Sequence, residues 1–440
     1  MVSANLVNMA QAGTLIYIIA DHLDALGVAY STTNPLHLLN VPSGKMGAFA
    51  DAPDGFFHWL QTADAALHKQ RIGLHTKHYT ADDFVPRALY GGYLQSIWRD
   101  TQQRAAQKKI VLKWVPSIAT YIRKESEFTL LTVRGDAIAV DAIVLATGNE
   151  TKPVFTHLPP SCVIQNPWEL NAFIDAKNWP SPVLLMGVGL TAIDTVLALR
   201  SAGYMGNIVA FSRHGALPHR HAAAAPFAFD PTLFESQPSL VAMQRLLRRT
   251  IAHHGSWRPV IDALRPHTQT LWQRLSALDR QRFLSRLLTF WNIHRHRMAP
   301  EIADRIDDEI MRGGFRIVAS RNAHTRMEDE RLTVTLNGEI LYPSRIINCT
   351  GPQLNIAKSS GILLHQAVAD GFLEPQETAL GIATDPQLRA WGRGYPNIYA
   401  MGALLTGQLL ESTAVPELRS QAARIAQTLA FTSGSGNTAP

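Results

Sequence analysis

The chain has 440 residues, 46% of them hydrophobic and 17% charged, with 41 Lys and Arg against 35 Asp and Glu. At about 100–200 residues per domain this length carries two to four domains with sizeable cores, and the composition excludes disorder, collagen and coiled coil as descriptions of the whole. A net charge of +6 spread thinly over the chain, with no nucleic-acid-reading module, points to small-molecule partners and no nucleic acid.

No apolar run approaches the roughly 18 residues of a membrane span, so no membrane partner is expected. Cys162 and Cys349 lie far apart without a C-x-x-C, which argues against paired-thiol redox chemistry and thiolate metal sites. Met1 to Gly13 lacks the basic start and long apolar stretch of a signal peptide, and the expected setting is reducing and cytoplasmic.

Met1 to Gln11 is predicted helical, with Val2, Leu6, Met9 and Ala10 at helical spacing and Gly13 as the stop. TLIYIIAD (Thr14 to Asp21) follows as a near-continuous apolar run that ends in an acid, the pattern of a buried parallel strand. A dinucleotide fold opens with strand, glycine turn, helix and strand, and its ribose-binding acid lies about 20 residues after the glycines. Counting back from Asp21 reaches Met1 or just before it, so the first strand and its glycines are expected to be missing from these residues. Supplying them should raise the melting temperature, because that strand is central in the 3-2-1-4 order.

DAIVLATG (Asp141 to Gly148) and SRIINCTG (Ser344 to Gly351) are each an apolar strand running into Thr-Gly, and PNIYAMGA (Pro396 to Ala403) is a third strand running into glycine. Between the first two lies a complete strand–turn–helix–strand unit, SPVLLMGVGLTAIDTVLALRSAG followed by NIVAFSRHG. Its turn is Gly187-Val188-Gly189-Leu190-Thr191-Ala192. Gly187 permits the tight turn, Gly189 lets backbone approach a pyrophosphate, and small Ala192 lets the helix pack close. The phosphate is expected at the helix N-terminus beside Leu190 and Thr191, where unpaired N–H groups and the macrodipole favour an anion.

The second strand of this unit ends Phe211-Ser212-Arg213-His214 without an acid. A basic end accommodates the 2′-phosphate of NADP, whereas Asp21 suits an unphosphorylated ribose such as the adenosine half of FAD. Different strand ends predict two different nucleotides.

Ser239 to Met298 is predicted helical, and Arg245, Arg248, Arg249, Arg274, Arg280, Arg282 and Arg286 are expected on its outer face. The last ten residues, FTSGSGNTAP, have the composition of a disordered tail. His219-Arg220-His221, His253-His254 and His294-Arg295-His296 lack metal-ligand spacing, and no metal is expected. No catalytic acid, base or nucleophile emerges; Arg87, Tyr90 and Arg297 are as suited to packing or pairing.

LGVAYSTTNPLHLLNVPSGKMGAFAD (Leu26 to Asp51), PRALYGGYL (Pro86 to Leu94), MGVGLTAIDTVLAL, SRHGALPH, HRHRMAPEI (His294 to Ile302) and ESTAVPELRSQA (Glu411 to Ala422) occur in this order. Together they resemble bacterial FAD/NAD(P)-binding proteins with two dinucleotide-binding domains, distant relatives of flavin-dependent N-hydroxylases and other NADPH-using monooxygenases. The resemblance implies an α/β fold with two Rossmann-like domains, the second inserted in the first, and a helical subdomain. Residues 1–148 and 346–430 would form the FAD domain, residues 149–345 the NADP domain with its helical insertion at about 225–300, and residues 431–440 the tail.

On that resemblance Thr147-Gly148 and Thr350-Gly351 are the crossings between domains. Gly402 places backbone beside the flavin, a helix begun near Thr413 aims its N-terminus at the pyrimidine end of the ring, and Asn40 lies nearby. Two features depart from the family: the first glycine fingerprint, and Ala403, where related flavoproteins often carry an acid. The Baeyer–Villiger fingerprint is missing, and that activity is not carried over. The expected function is transfer of hydride from NADPH to FAD and on to oxygen or a small organic substrate. A reductase without oxygen chemistry, or a non-catalytic NADP-binding module, are the alternatives.

Overall fold

The computed structural model describes residues 1–21, 26–74, 76–125, 129–133, 135–169, 171–228, 230–237, 239–392 and 397–434. Helix α1 (Val2–Met9) ends at Ala10, and Gly13, at φ +88°, turns the chain into β1 (Leu15–Ile19). Helices α2 (Gly55–Trp59), α3 (Ala63–Arg71) and α4 (Arg87–Gln107) follow, and then β2 (Val111–Val115) pairs parallel with β1 from Leu15↔Val111 to Ile19↔Val115. Strands β3 (Ala119–Lys124), β4 (Thr129–Val133) and β5 (Asp136–Val140) make an antiparallel meander before β6 (Ile143–Leu145) and the short β7 (Glu150–Thr151).

The chain next enters a second sheet through β8 (Val163–Ile164) and β9 (Val183–Met186), which α5 (Leu190–Ser201) joins to β10 (Ile208–Ser212). A helical stretch intervenes: α6 (Pro231–Glu235), α7 (Leu240–His254), α8 (Trp257–Leu264), α9 (Thr268–Arg274), α10 (Ala277–Arg286), α11 (Leu288–Arg295) and α12 (Pro300–Met311). Strand β11 (Phe315–Ala319), the antiparallel meander β12 (Ala323–Glu328), β13 (Arg331–Leu336) and β14 (Glu339–Leu341), and then β15 (Arg345–Asn348) complete it. The sheet order is β11-β10-β9-β15-β8, parallel throughout.

Side chains alternate across this sheet, as the period of two requires. Val183, Leu185, Ile208 and Ala210 pack under Ala192 and Val196 of α5 and Ile302, Ala303 and Ile306 of α12. Leu184, Val209, Phe211 and Ile346 face Leu332, Val334 and Leu336 of the meander. Both faces are covered, which explains why these strands read as continuous apolar runs.

The return segment holds β16 (Pro352–Gln353), α13 (Ile362–Ala369), β17 (Ile398–Ala400) and α14 (Val415–Gly434), with β17 parallel to β6. Among the described residues no strand joins β1 to β6, so β2-β1 and β6-β17 stand as separate two-stranded sheets. They nevertheless share a core: Ile19 and Val115 pack against the cluster that holds Ile143, Leu145, Ile398 and Ala400. This corrects the expectation that Thr14 to Asp21 forms a buried strand. Leu15 is 48% exposed and the other residues of β1 are only half-buried, because β1 is paired along one edge.

The expected tail also needs correction. Helix α14 runs through Gly434, since Ile425 and Leu429 keep its inner face in the core and no breaker occurs before that glycine; residues 435–440 lie outside the described residues. Six of the seven arginines predicted on the outer face of the helical stretch are exposed. Arg280 is partly buried, donating to the carbonyls of Trp272 and Gln273 and to Glu377.

Candidate functional site

Gly187 leaves β9 at φ +114°, and a Cβ there would lie 2.4 Å from the carbonyl oxygen of Cys349, where β15 exits alongside. Only glycine fits so close to a neighbouring backbone. Gly189 differs: it caps α5 in extended conformation (φ −81°, ψ −170°), is exposed, and a Cβ on it would meet nothing within 4 Å. No side chain caps this helix, and its first bonded amides are those of Ala192 and Ile193, both to the Gly189 carbonyl. The amides of Leu190 and Thr191 therefore occupy the orphan positions of a helix N-terminus, in open space that suits an anion. Beneath the turn, Thr195 Oγ1 lies 3.5 Å from Cys349 Sγ. Burial pushes that thiol up to about 12, so it stays protonated and inert.

At the end of β10, Ser212 accepts through its hydroxyl from the Gly215 amide, while Arg213 and His214 are exposed and the His214 ring lies 5.3 Å from Phe290. The loop beyond is laced to the helical stretch. His219 N–H donates to Ile293, Met298 N–H to His219, and His221 N–H to Met298. His221 Nε2–H then donates to the carbonyl of Asn40 over 3.1 Å. The predicted Asn40 thus meets the segment that follows β10. Burial, reinforced by Arg297, pushes the His221 imidazole down to about 4 and keeps it neutral.

The two Thr-Gly turns are neighbours. Gly148 at φ +72° and Gly351 at φ +89° are exposed with open space around each, as are Thr147 and Thr350. The antiparallel pairing of β7 with β16 holds them together, Glu150 opposite Gln353. Asn348 fastens the ribbon, donating to the Lys152 carbonyl and accepting from the Thr350 amide and hydroxyl.

Asp21 is exposed beyond β1, and residues 22–25 after it lie outside the described residues. Gly402 follows β17 at φ +68°, buried, its amide donating to Gln421 Oε1 over 2.8 Å. Gln421 donates onward to the Ser412 carbonyl. Exposed Thr413 lies two residues before α14, whose first bonded amides, Glu417 and Leu418, both reach Ala414. Met1 packs against the hydrophobic cluster that contains Val415, and α1 lies against α14.

The side chains that bind these parts together were not assigned roles in the sequence. Arg295, 8% exposed, donates from Nε and Nη2 to Oε2 of Glu411, 6% exposed, at 3.0 and 2.9 Å. Trp291 Nε1–H donates to the other oxygen of Glu411, and Trp272 Nε1–H to the Gly407 carbonyl. These contacts join the HRHRMAPEI and ESTAVPELRSQA segments. Arg297, 3% exposed, pairs with Asp262. At the opposite seam Arg87 pairs with Asp194 of α5 at 2.8 Å, while His37 donates to the Asp194 carbonyl and Arg87 to that of Leu38. Arg87 and Arg297 are thus each ion-paired, with Asp194 and Asp262 respectively, and Tyr90 is fully buried. The available signal was an Arg at alternate positions between histidines, and a Glu in an otherwise apolar return segment.

A five-stranded parallel sheet with an open glycine turn, tied by the short β7-β16 ribbon to a second set of parallel strands, defines an α/β fold of the Rossmann type. Residues 1–150 match a family described as FAD-NAD(P)-binding. The chain shares its fold with the reduced form of ornithine hydroxylase (PvdA) from Pseudomonas aeruginosa, at 14% identity and TM-score 0.63, covering 96% of this chain and 99% of that one. It shares it too with ornithine N-hydroxylase from Kutzneria sp. 744, held with reduced FAD, NADP+ and L-ornithine, at 14% identity and TM-score 0.58, covering 98% and 96%. Bacillithiol disulfide reductase from Staphylococcus aureus is similar at 11% identity and TM-score 0.52, covering 96% and 99%. No curated protein sequence matches this chain. Among the described residues no helix is long and apolar enough to cross a membrane, and no three His, Cys, Asp or Glu side chains gather as a metal site.

Proposed function

We propose that this chain is an NADPH-dependent flavin oxidoreductase of the monooxygenase type, acting in the cytoplasm on a small nucleophilic substrate such as an amine. The open Gly189 turn at the uncapped N-terminus of α5 carries this reading. When bound, FAD would accept hydride from NADPH and deliver electrons to oxygen or to an organic acceptor.

The chain's own residues supply binding and orientation. Gly187, Gly189 and the amides of Leu190 and Thr191 would cradle the NADPH pyrophosphate, and Ser212, Arg213 and His214 would receive the 2′-phosphate. Asp21 would hold the FAD ribose. Gly402, which adopts positive φ without strain, and the N-terminus of α14 would suit the anionic and pyrimidine parts of the flavin. The FAD unit would comprise residues 1–148 and 346–430, with the NADP unit, residues 149–345, inserted at the Thr147-Gly148 and Thr350-Gly351 crossings. Neutral His221 on Asn40 holds the two units in register, and the Arg295–Glu411 pair seals the helical stretch against the return segment.

Anaerobic addition of NADPH to the FAD-loaded protein tests the oxidoreductase step through bleaching of the flavin bands. Oxygen uptake with a panel of small amines, and mass analysis for a hydroxylated product, tests the oxygen step. NADPH oxidation that yields neither peroxide nor hydroxylated product would favour a reductase.

A further inference from the structure

Next to the Arg295–Glu411 pair a cavity of about 290 Å³ opens between the turn that follows α8 and the first turns of α14. Arg265 and Gln269 line one side, Glu411, Glu417 and Gln421 the other, and exposed Arg424 stands at its mouth. Most of these polar groups are engaged. The Glu411 carboxylate accepts from Arg295 and Trp291, and Gln269 donates to the Glu411 carbonyl. Gln421 is used at both ends, and Arg424 donates to the Pro386 carbonyl.

Two atoms are left over. Arg265 Nη2 and Glu417 Oε2 are buried with no hydrogen-bond partner. Their side chains face each other with Nη2 to Oε1 at 3.8 Å, too long for a hydrogen bond. A partly buried guanidinium and carboxylate that see each other's charge but share no hydrogen bond are an incomplete pair. Burial pushes the Glu417 carboxyl up and the Arg265 guanidinium down, and the charge that each sees in the other only partly offsets it.

We propose that the cavity binds a small molecule through a primary carboxamide, Arg265 Nη2 donating to its carbonyl oxygen and Glu417 Oε2 accepting from its N–H. A carboxylate drawn to Arg265 would sit against Glu417, and an ammonium drawn to Glu417 would sit against Arg265. A neutral group with an acceptor beside a donor satisfies both. The cavity is near the lower end of ligand-pocket sizes, with room for a ring attached to that group. The proposal does not rest on the oxidoreductase reading.

The test is calorimetric or saturation-transfer binding of benzamide, benzoate and benzylamine to the full chain, three probes that differ chiefly in the head group. Benzamide should bind at least about tenfold more tightly than either charged analogue. Glu417→Gln removes the carboxylate that faces Arg265 and should transfer the preference to benzoate; Arg265→Gln should transfer it to benzylammonium. Binding of the switched probe shows at the same time that the variant is folded. Equal binding of the three probes, benzamide binding unchanged in both variants, or no saturable benzamide binding would each overturn the proposal.

Discussion

Gly187 and Gly189 lie two residues apart and should respond in opposite ways to the same added methyl group. In Gly187→Ala the Cβ would fall 2.4 Å from the Cys349 oxygen and 2.7 Å from its carbon, on a backbone at φ +114°. Positive-φ strain of about 1–3 kcal/mol and overpacking of about 1–3 kcal/mol together predict a loss of about 2–6 kcal/mol in folding stability. In Gly189→Ala the Cβ enters empty space on an ordinary backbone, so stability should stay within about 0.5 kcal/mol. That same space is where a pyrophosphate would approach the backbone. Losing one charge-assisted hydrogen bond, about 1.5–3 kcal/mol, weakens NADPH about 10- to 150-fold. Urea unfolding and quenching of protein fluorescence by NADPH read the two effects separately. Gly189→Ala with full stability and undiminished NADPH binding would refute the assignment of this turn.

Arg295→Met alone leaves Glu411 buried and unpaired and should cost about 3–5 kcal/mol in urea unfolding, whereas Arg295→Met with Glu411→Met should recover most of it. Losses that simply add in the double variant would mean the pair is not coupled. Arg213→Ala should weaken NADPH about tenfold and leave NADH unchanged if the exposed guanidinium receives the 2′-phosphate; equal losses for both nucleotides would remove that role. His221 and His296 are both held down near 4 by burial, against an ordinary value of 6.5. The unfolded chain therefore takes up protons below about 6.5 that the folded chain refuses. Their contribution to stability is intact above that pH and drains away as pH falls toward 4. Urea midpoints for the parent and for His221→Asn with His296→Asn should converge as pH falls from 7.5 to 4.5, and a constant gap would contradict the assignment.

The strand–turn–helix–strand unit around Gly187 was legible because it is local. Strand, turn, helix and strand follow within Val183 to Ser212, and the positive φ of Gly187 marks the turn between them. Strand β15 was visible as an apolar run, but its insertion beside β9 was not, since register between distant strands leaves no mark in either. Strand β1 looked buried from composition alone; its exposure depends on which edges are paired, a property of the sheet. The meanders β3-β4-β5 and β12-β13-β14 went unnoticed because short, half-exposed strands such as Ala323–Glu328 carry little apolar signal. In the candidate site, Gly148, Gly187, Gly351 and Gly402 could be read because positive φ restricts residue type. Arg295–Glu411, Arg87–Asp194 and Arg265–Glu417 could not, because each joins residues more than 100 positions apart. A charged side chain looks the same in sequence whether it faces water or a buried partner.

The central claim is tested most directly by the visible spectrum of the purified 440-residue chain after incubation with FAD, removal of free cofactor and anaerobic addition of NADPH. Retained flavin bands that bleach on NADPH, and more slowly or at higher concentration on NADH, are the predicted result. Flavin that is retained but not bleached by either nucleotide would contradict the account.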